Sequence, residues 1–536
     1  MPNMREEDMT RLSKLAVLFC AWIASHTLAH AQNAASQVTV LRAAEAERYD
    51  PQKIVSRPMN EVMFLLADTL LALDYDQKTI KPLLARSWSV SADGLTYRFA
   101  LRDDVRYCDG RPMKAEDVVY SLKRWIAPET RAPLANQAGS VKDIRAEDET
   151  TVVYELAEPY SELLINLTQV SSSIVDRNEV EKLGPDFGVK HFNGTGPYCW
   201  VRWLPRNEMV LKRNQAYVWG PDFYQNRGPA QVEQLVLKQV PDEGTRMAAM
   251  MAGQADLTQY VPRWSISRFE GARQFTVARP QAYFSLLYLG FKTDRPLVSD
   301  VRVRKAMNLA LNRDELARSV FFGRAEPASA YIHPQATDYN AELATILPKF
   351  DLAQANALLD SAGWIRGADG FRVKDGVRLA PVVVIPAPIL ADAAQAIQGS
   401  LRQIGVDVRL ELLDGAVFFQ RASQQDFEMY GLQQPYLTAG MMMADNFSSK
   451  AIPAPNRMNW RNAEFDALLR SGRSATDAAN RSEAFKQAQL IAHRDFVWMP
   501  LVHDQAYMVI GSRLTPMKAH GNQAVTLYKG LDMRLK

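Results

Sequence analysis

Alternation and helical spacing divide the chain into short modules. Between Asp93-Gly94 and Asp109-Gly110, two turns in which glycine accepts positive φ at no steric cost, Leu95, Tyr97, Phe99 and Leu101 alternate with Thr96, Arg98 and Ala100. That two-residue period predicts a half-buried strand. Past the second turn the period lengthens. Ala115, Val118, Val119, Leu122 and Trp125 share one helical face, and Glu116 and Asp117 fall in the first turn, where the helix dipole favours acids. Residues 152–167 predict a strand, a break at Pro159 and a helix. Residues 194–220 predict two strands around Pro205-Arg206-Asn207. A strand from Val232 then leads into a helix over 243–251, with Gly253 as its C-cap. Strands alternating with helices point to an α/β architecture.

A second α/β unit begins near Tyr283. Residues 283–292 form a long apolar strand, and Val301, Val303, Ala306, Leu309 and Ala310 start a helical face; the helix after it ends at Gly323. Residues 350–364 read as a helix capped by Asp351 and stopped by Gly363. Gly405 turns another helix into a strand on which Val406, Val408, Leu410 and Leu412 alternate. Residues 498–510 predict one further long apolar strand. No repeat and no low-complexity linker separates the units.

Length agrees with this division, because 536 residues exceed what one hydrophobic core ordinarily serves. With 47% hydrophobic and 23% charged residues the composition is that of a soluble globular protein, and a net charge of +3 without a basic tract argues against nucleic-acid binding. At the N-terminus, Arg11 and Lys14 precede an apolar run from Leu15 to Ala24, and Ala29-His30-Ala31 follows. Basic region, short apolar core and small-x-small site make a secretory signal peptide over 1–31, too short to be a good membrane span. Glu6, Glu7 and Asp8 disturb the basic region, and a start at Met9 gives a cleaner one. Phe19 stands where a lipid anchor on Cys20 would need a small residue, which leaves a diffusible export product, expected in a Gram-negative periplasm. After cleavage only Cys108 and Cys199 remain. In an oxidising compartment they can pair or persist as two buried thiols, and the sequence leaves both open.

Chemistry is sparse. There is no Gly-x-Ser-x-Gly elbow, no His-Glu-x-x-His helix, no P-loop and no Gly-x-Gly-x-x-Gly fingerprint. His191, His333, His493, His503 and His520 are scattered, with no Cys/His pair at metal spacing. Neither a catalytic residue, a cofactor nor a direct metal site is expected, and an exported hydrolase is a distant alternative.

Several stretches together resemble the family 5 extracytoplasmic solute-binding proteins of ABC importers, the dipeptide, oligopeptide and nickel-complex class. They are Leu84-Ala85 to Trp88, Asp93-Gly94, Leu101-Arg102, Asp109-Gly110 and Ala115-Glu116-Asp117-Val118, followed by Gly194-Thr195-Gly196-Pro197-Tyr198, Arg213-Asn214 and Tyr217. Asp300-Val301-Arg302 to Arg304-Lys305-Ala306 fits as well, with Asn312-Arg313 where the family usually has Asp-Arg; Leu358-Leu359 to Ala362-Gly363 and Ile404-Gly405-Val406 complete the order. The resemblance implies a two-lobed flytrap: lobe I over 32–285, with an internal subdomain at about 80–190, lobe II over 286–502, and a return to lobe I over 503–536. Hinges would fall at 283–291 and 499–507. It also implies a monomer that captures a peptide or other small solute and delivers it to an inner-membrane ABC permease with its ATPase subunits. A non-peptide solute or nickel chelate is the alternative cargo, and a sensor or chaperone role is a third reading.

The resemblance places Asp68, Thr69 and Leu70 in a turn lining the cleft, Thr195 facing the ligand, and His503 at the closing hinge. In the second lobe the chain departs from the family. Dipeptide and oligopeptide binders resemble one another in a Trp-x-x-Asp segment that pairs the ligand's ammonium. Here Gln434 stands near the Trp, Tyr436 and Leu437 near the Asp, and the first acid is Asp445. Residues 382–390, where dipeptide binders hold the ligand's carboxylate with an arginine, contain no basic residue. An unpaired buried charge costs several kcal/mol, so the expectation is a longer or less charged solute met by Gln433, Gln434 and Tyr436. Met441-Met442-Met443 reads as packing or as adaptable pocket wall. The mature chain is expected to begin at Gln32, which the intact mass of the exported protein checks; a mass retaining Met1 refutes the cleavage.

Overall fold

The computed structural model describes residues 36–387 and 390–536, so the signal peptide, its cleavage site and Cys20 lie outside the described residues. Two sheets organise the chain. The first has seven strands in the spatial order Phe275–Ala278, Met508–Gly511, Leu257–Thr258, Gln37–Arg42, Gln234–Gln239, Glu208–Arg213 and Tyr198–Leu204. It therefore joins the first described strand to the last. The second has six, in the order Glu326–Pro327, Trp498–Asp504, Ser285–Phe291, Met429–Pro435, Val382–Pro386 and Arg409–Leu413. Helices pack on both, giving the α/β fold that the sequence pattern predicts.

Local chemistry accounts for many of the element boundaries. Asp242 accepts from Thr245 N at 2.7 Å and starts helix Glu243–Met251. Asp351 accepts from Gln354 N at 2.8 Å and starts Leu352–Ser361. The opening module becomes strand Thr96–Leu101 and helix Ala115–Ile126, within a four-stranded sheet that also holds Ala85–Val90, Thr151–Leu156 and Val141–Asp148. The strand expected from Val406 begins only at Arg409; Val406 and Val408 are buried before it.

The apolar run 498–510 is two strands rather than one. Trp498–Asp504 lies in the second sheet and Met508–Gly511 in the first, so residues 505–507 carry the chain between lobes. Residues 279–284 make the outward crossing. The crossings are neighbours at both ends, because Ala278 pairs with Met508 in one sheet and Ser285 with Asp504 in the other. Composition marks both segments as buried strand but carries no mark of the change of sheet.

Two covalent or ionic ties fix the first lobe. Cys108 and Cys199 form a disulfide, with Cα atoms 5.7 Å apart, between the turn of the opening module and the edge strand Tyr198–Leu204. Lys529 donates to Asp68 Oδ1 at 2.6 Å and to Ala67 O at 2.7 Å, while Asp68 Oδ2 accepts from Trp219 Nε1 at 2.9 Å; lysine and aspartate side chains are almost wholly buried. The terminal segment is thereby held against the turn at Asp68. Because the disulfide closes a loop of 91 residues, Cys108→Ser with Cys199→Ser is expected to lower stability by about 3 kcal/mol, read by urea denaturation against the oxidised wild type.

Candidate functional site

The site lies where the two lobes face each other, at the edge of the second sheet from which the chain leaves. Val382–Pro386 runs parallel to Arg409–Leu413 and to Met429–Pro435, and loops at the carboxyl ends of such strands are where α/β sheets place ligands. Ser285 and Asp504 share that edge. A hydrophobic cluster bridges the lobes here, joining Leu73 and Ile165 of the first, through Phe284 of the crossing, to Leu286, Leu432 and Leu437 of the second.

Within this frame the side chains expected to meet the solute separate. Gln433 donates to Ser285 Oγ at 3.0 Å and to Asp504 Oδ2 at 2.9 Å, and Arg263 holds Asp504 Oδ1 at 2.5 Å. Its amide therefore braces the crossing strands. Gln434 is on the opposite sheet face, in line with Leu286 and His503. His503 is buried, and neither ring nitrogen has a hydrogen-bond partner. Burial, reinforced by the neighbouring His333, lowers it to about 3, so it is neutral at physiological pH. The His333 ring lies 5.1 Å from it, edge to face, and 5.1 Å from Phe284, stacked.

Thr195 is fully buried at the end of helix Arg57–Leu66. Gly196 N caps Leu66 O at 2.9 Å, and a Cβ on Gly194 would stand 1.9 Å from the same carbonyl oxygen, so only glycine fits. Thr195 Oγ1 has no partner. Asp68, Thr69 and Leu70 are buried: Asp68 accepts from Lys529, Thr69 Oγ1 donates to Leu71 O at 2.6 Å, and Leu70 belongs to the first lobe's core. Met442 and Met443, both fully buried, are core.

Tyr436 accepts from Asn446 Nδ2 at 2.7 Å. Burial raises its hydroxyl, with Asp445 adding to the effect and Arg457, which has no carboxylate partner among the described residues, opposing it. Sequence reasoning missed Arg457, because it arrives from a loop rather than from residues 382–390.

The lobes also meet directly at residues 160–162. Ser161 N donates to Arg473 O at 2.8 Å and Ser161 Oγ to Gly472 O at 3.1 Å, satisfying carbonyls at the end of helix Ala463–Ser474. Thr438 donates to Glu162 Oε1 and accepts from Met441 N at 3.0 Å, so a first-lobe carboxylate sits over the positive end of helix Ala439–Asn446. Arg473 lies over the Tyr160 ring at 4.8 Å, and the Asp93-Gly94 turn comes against Thr476. Burial raises Glu162, with Asp445 and Asp338 adding to the effect; the Thr438 hydroxyl and Arg473 oppose it. Burial likewise raises Asp445 to about 6, against the lowering influence of Arg473, Asn136 and Tyr436. On the hinge side Arg324 grips Glu270 at 2.6 and 2.9 Å. Among the described residues no group of three or more His, Cys, Asp or Glu is placed to hold a metal ion, and no helix is long and apolar enough to cross a membrane.

A family model, bacterial extracellular solute-binding proteins, family 5 (middle), matches residues 79–451. The di/tripeptide-binding protein 2 of Pseudomonas aeruginosa is 26% identical over 98% of this chain and 100% of its own length. The structure is similar to NikA from Brucella suis, solved with Fe(III)-EDTA (TM-score 0.82, 24% identity, 93% of this chain and 100% of that one). It is also similar to the DppA of Helicobacter pylori, solved with the peptide STSA (TM-score 0.80, 24% identity, 93% and 98%).

Contacts at residues 160–162 join surfaces that separate when the lobes open. Glu162→Ala is expected to shift the balance toward the open form by about 1–2 kcal/mol, weakening affinity for the captured solute roughly 5- to 30-fold in titration calorimetry. Asp445 ionises near 3.8 when solvated and near 6 when enclosed, so closure takes up a proton between those limits. Affinity is expected to fall as pH rises through that window and to level off above it; Asp445→Asn should flatten the slope.

Proposed function

The chain belongs to the bacterial extracellular solute-binding proteins of family 5, and from that premise we propose that it captures a peptide or peptide-like solute between its lobes in the periplasm and delivers it to an inner-membrane ABC permease. The observation that carries the reading is the cleft itself. Two sheets are joined by adjacent crossings, and on the strand that enters the return crossing His503 is buried with no hydrogen-bond partner among the described residues. Lobes 32–285 with 503–536, closing on 286–502, are part of the proposal, as are export through the signal peptide and action as a monomer that binds rather than turns over its cargo. The relative from Pseudomonas aeruginosa is a di/tripeptide-binding protein, and the Helicobacter pylori structure holds a peptide, which supports the choice of solute class.

Residues 382–390 and the Trp-x-x-Asp position lack the charges that would pair a zwitterionic dipeptide, which favours a longer or less charged solute. A chelated metal is the second reading. It is favoured by His503, neutral with both nitrogens free, beside His333.

Protein purified from periplasm, unfolded and analysed by mass spectrometry is expected to release short peptides. A single non-peptide compound or a metal chelate would replace the peptide reading with the second one.

A further inference from the structure

The returning segment carries a loop that neither the sequence motifs nor the family resemblance singled out. Residues 519–524 run beside the outward crossing. Ala519 bridges Pro280, and Gly521 lies so close to Ala282 that a Cβ there would stand 2.0 Å from its carbonyl oxygen. His520 Nε2 bonds Leu73 O at 2.9 Å. Ala282 and Leu73 both belong to the apolar cluster that spans the lobes, which puts the loop beside the junction between them.

Three costs coincide in it. Asn522 is wholly buried, and neither Oδ1 nor Nδ2 of its amide has a hydrogen-bond partner among the described residues. Gln523 and Ala524 both take left-handed backbone, at φ 49° and 66°, where a residue with a Cβ is strained. Gln523 Oε1 is also without a partner. The backbone of Asn522 is fully used, its N–H bonding His520 Nδ1 at 3.1 Å and its carbonyl accepting from Val525 N at 2.9 Å, so the loop is held firmly while the side chain is not. A buried amide left without partners on both atoms pays its desolvation cost unreturned, and strained, unsatisfied positions of this kind cluster where a ligand completes them.

We infer that Asn522 recognises a backbone amide of the solute, its Nδ2 donating to a peptide carbonyl and its Oδ1 accepting from a peptide N–H. One primary amide opposed to one peptide group satisfies both partners, whatever side chain the solute carries. The inference rests on the peptide reading above and deepens it. Selection would then be for the amide repeat, from beside the junction between the lobes, with Tyr436 meeting another part of the solute.

The test compares wild type, Asn522→Leu and Asn522→Ala in native mass spectrometry with a random tetrapeptide mixture, alongside thermal melting of each ligand-free protein. Leucine matches the volume of the amide without its unmet polar atoms. Asn522→Leu is therefore expected to melt at or above the wild-type temperature while retaining at least about ten-fold less peptide. A purely structural asparagine would instead lower the melting temperature and leave retention by the folded fraction unchanged, and that result overturns the inference. If the leucine variant does not fold, the alanine variant carries the same comparison. Peptide retained equally by wild type and a folded variant removes the role of Asn522 and leaves the proposed function standing. Failure of the wild type to retain any peptide removes the peptide reading and this inference with it.

Discussion

Ser285–Phe291 and Trp498–Asp504 run side by side, and through them the chain passes out to the second lobe and back. Because the crossings are paired in both sheets, at Ala278 with Met508 and at Ser285 with Asp504, they act as one narrow strap. Relative motion of the lobes is confined to bending across it, as in other hinged domain pairs. Arg263, Asp504, Gln433 and Ser285 stiffen the strap with charge-assisted and neutral hydrogen bonds that do not depend on a solute. What the cleft can hold is set by which side chains this bending brings together.

On the far side of the cleft the lobes meet through helix ends. Ser161 completes the carbonyl end of one helix and Glu162, by way of Thr438, the amide end of another. Such contacts are directional, since each orphan group accepts a partner only along its own axis. They are also modest in energy, as befits surfaces that must part again. Burial disfavours the charged forms of the carboxylates Glu162 and Asp445, while Arg473 favours both and Thr438 that of Glu162.

Much of the scaffold was legible along the chain because periodicity, capping and turn chemistry are local. Helices Glu243–Met251 and Leu352–Ser361 follow from Asp242 and Asp351, and strand Thr96–Leu101 follows from alternation between two Asp-Gly turns. The site was less so. Residues 498–510 look like one strand because both halves are buried, and only the third dimension divides them between sheets. Arg457 escaped notice because the charge was sought where relatives keep it, and the pairing of Asp68 could not be read because its cation, Lys529, lies 461 residues away. Asn522 carries no sequence signal at all. An asparagine after glycine reads as a turn, and the meaning lies in two amide atoms left without partners.

The two strands that the tail supplies, Trp498–Asp504 and Met508–Gly511, are interior members of their sheets, each flanked on both sides. Until the last residues of the polypeptide are available, neither lobe can complete its sheet, and each exposes two open strand edges. Contacts of this sequence separation are slow to form, and unpaired edges invite pairing between molecules. A chain built this way holds both sheets open until residues 498–511 arrive, and then gains its two lobes together.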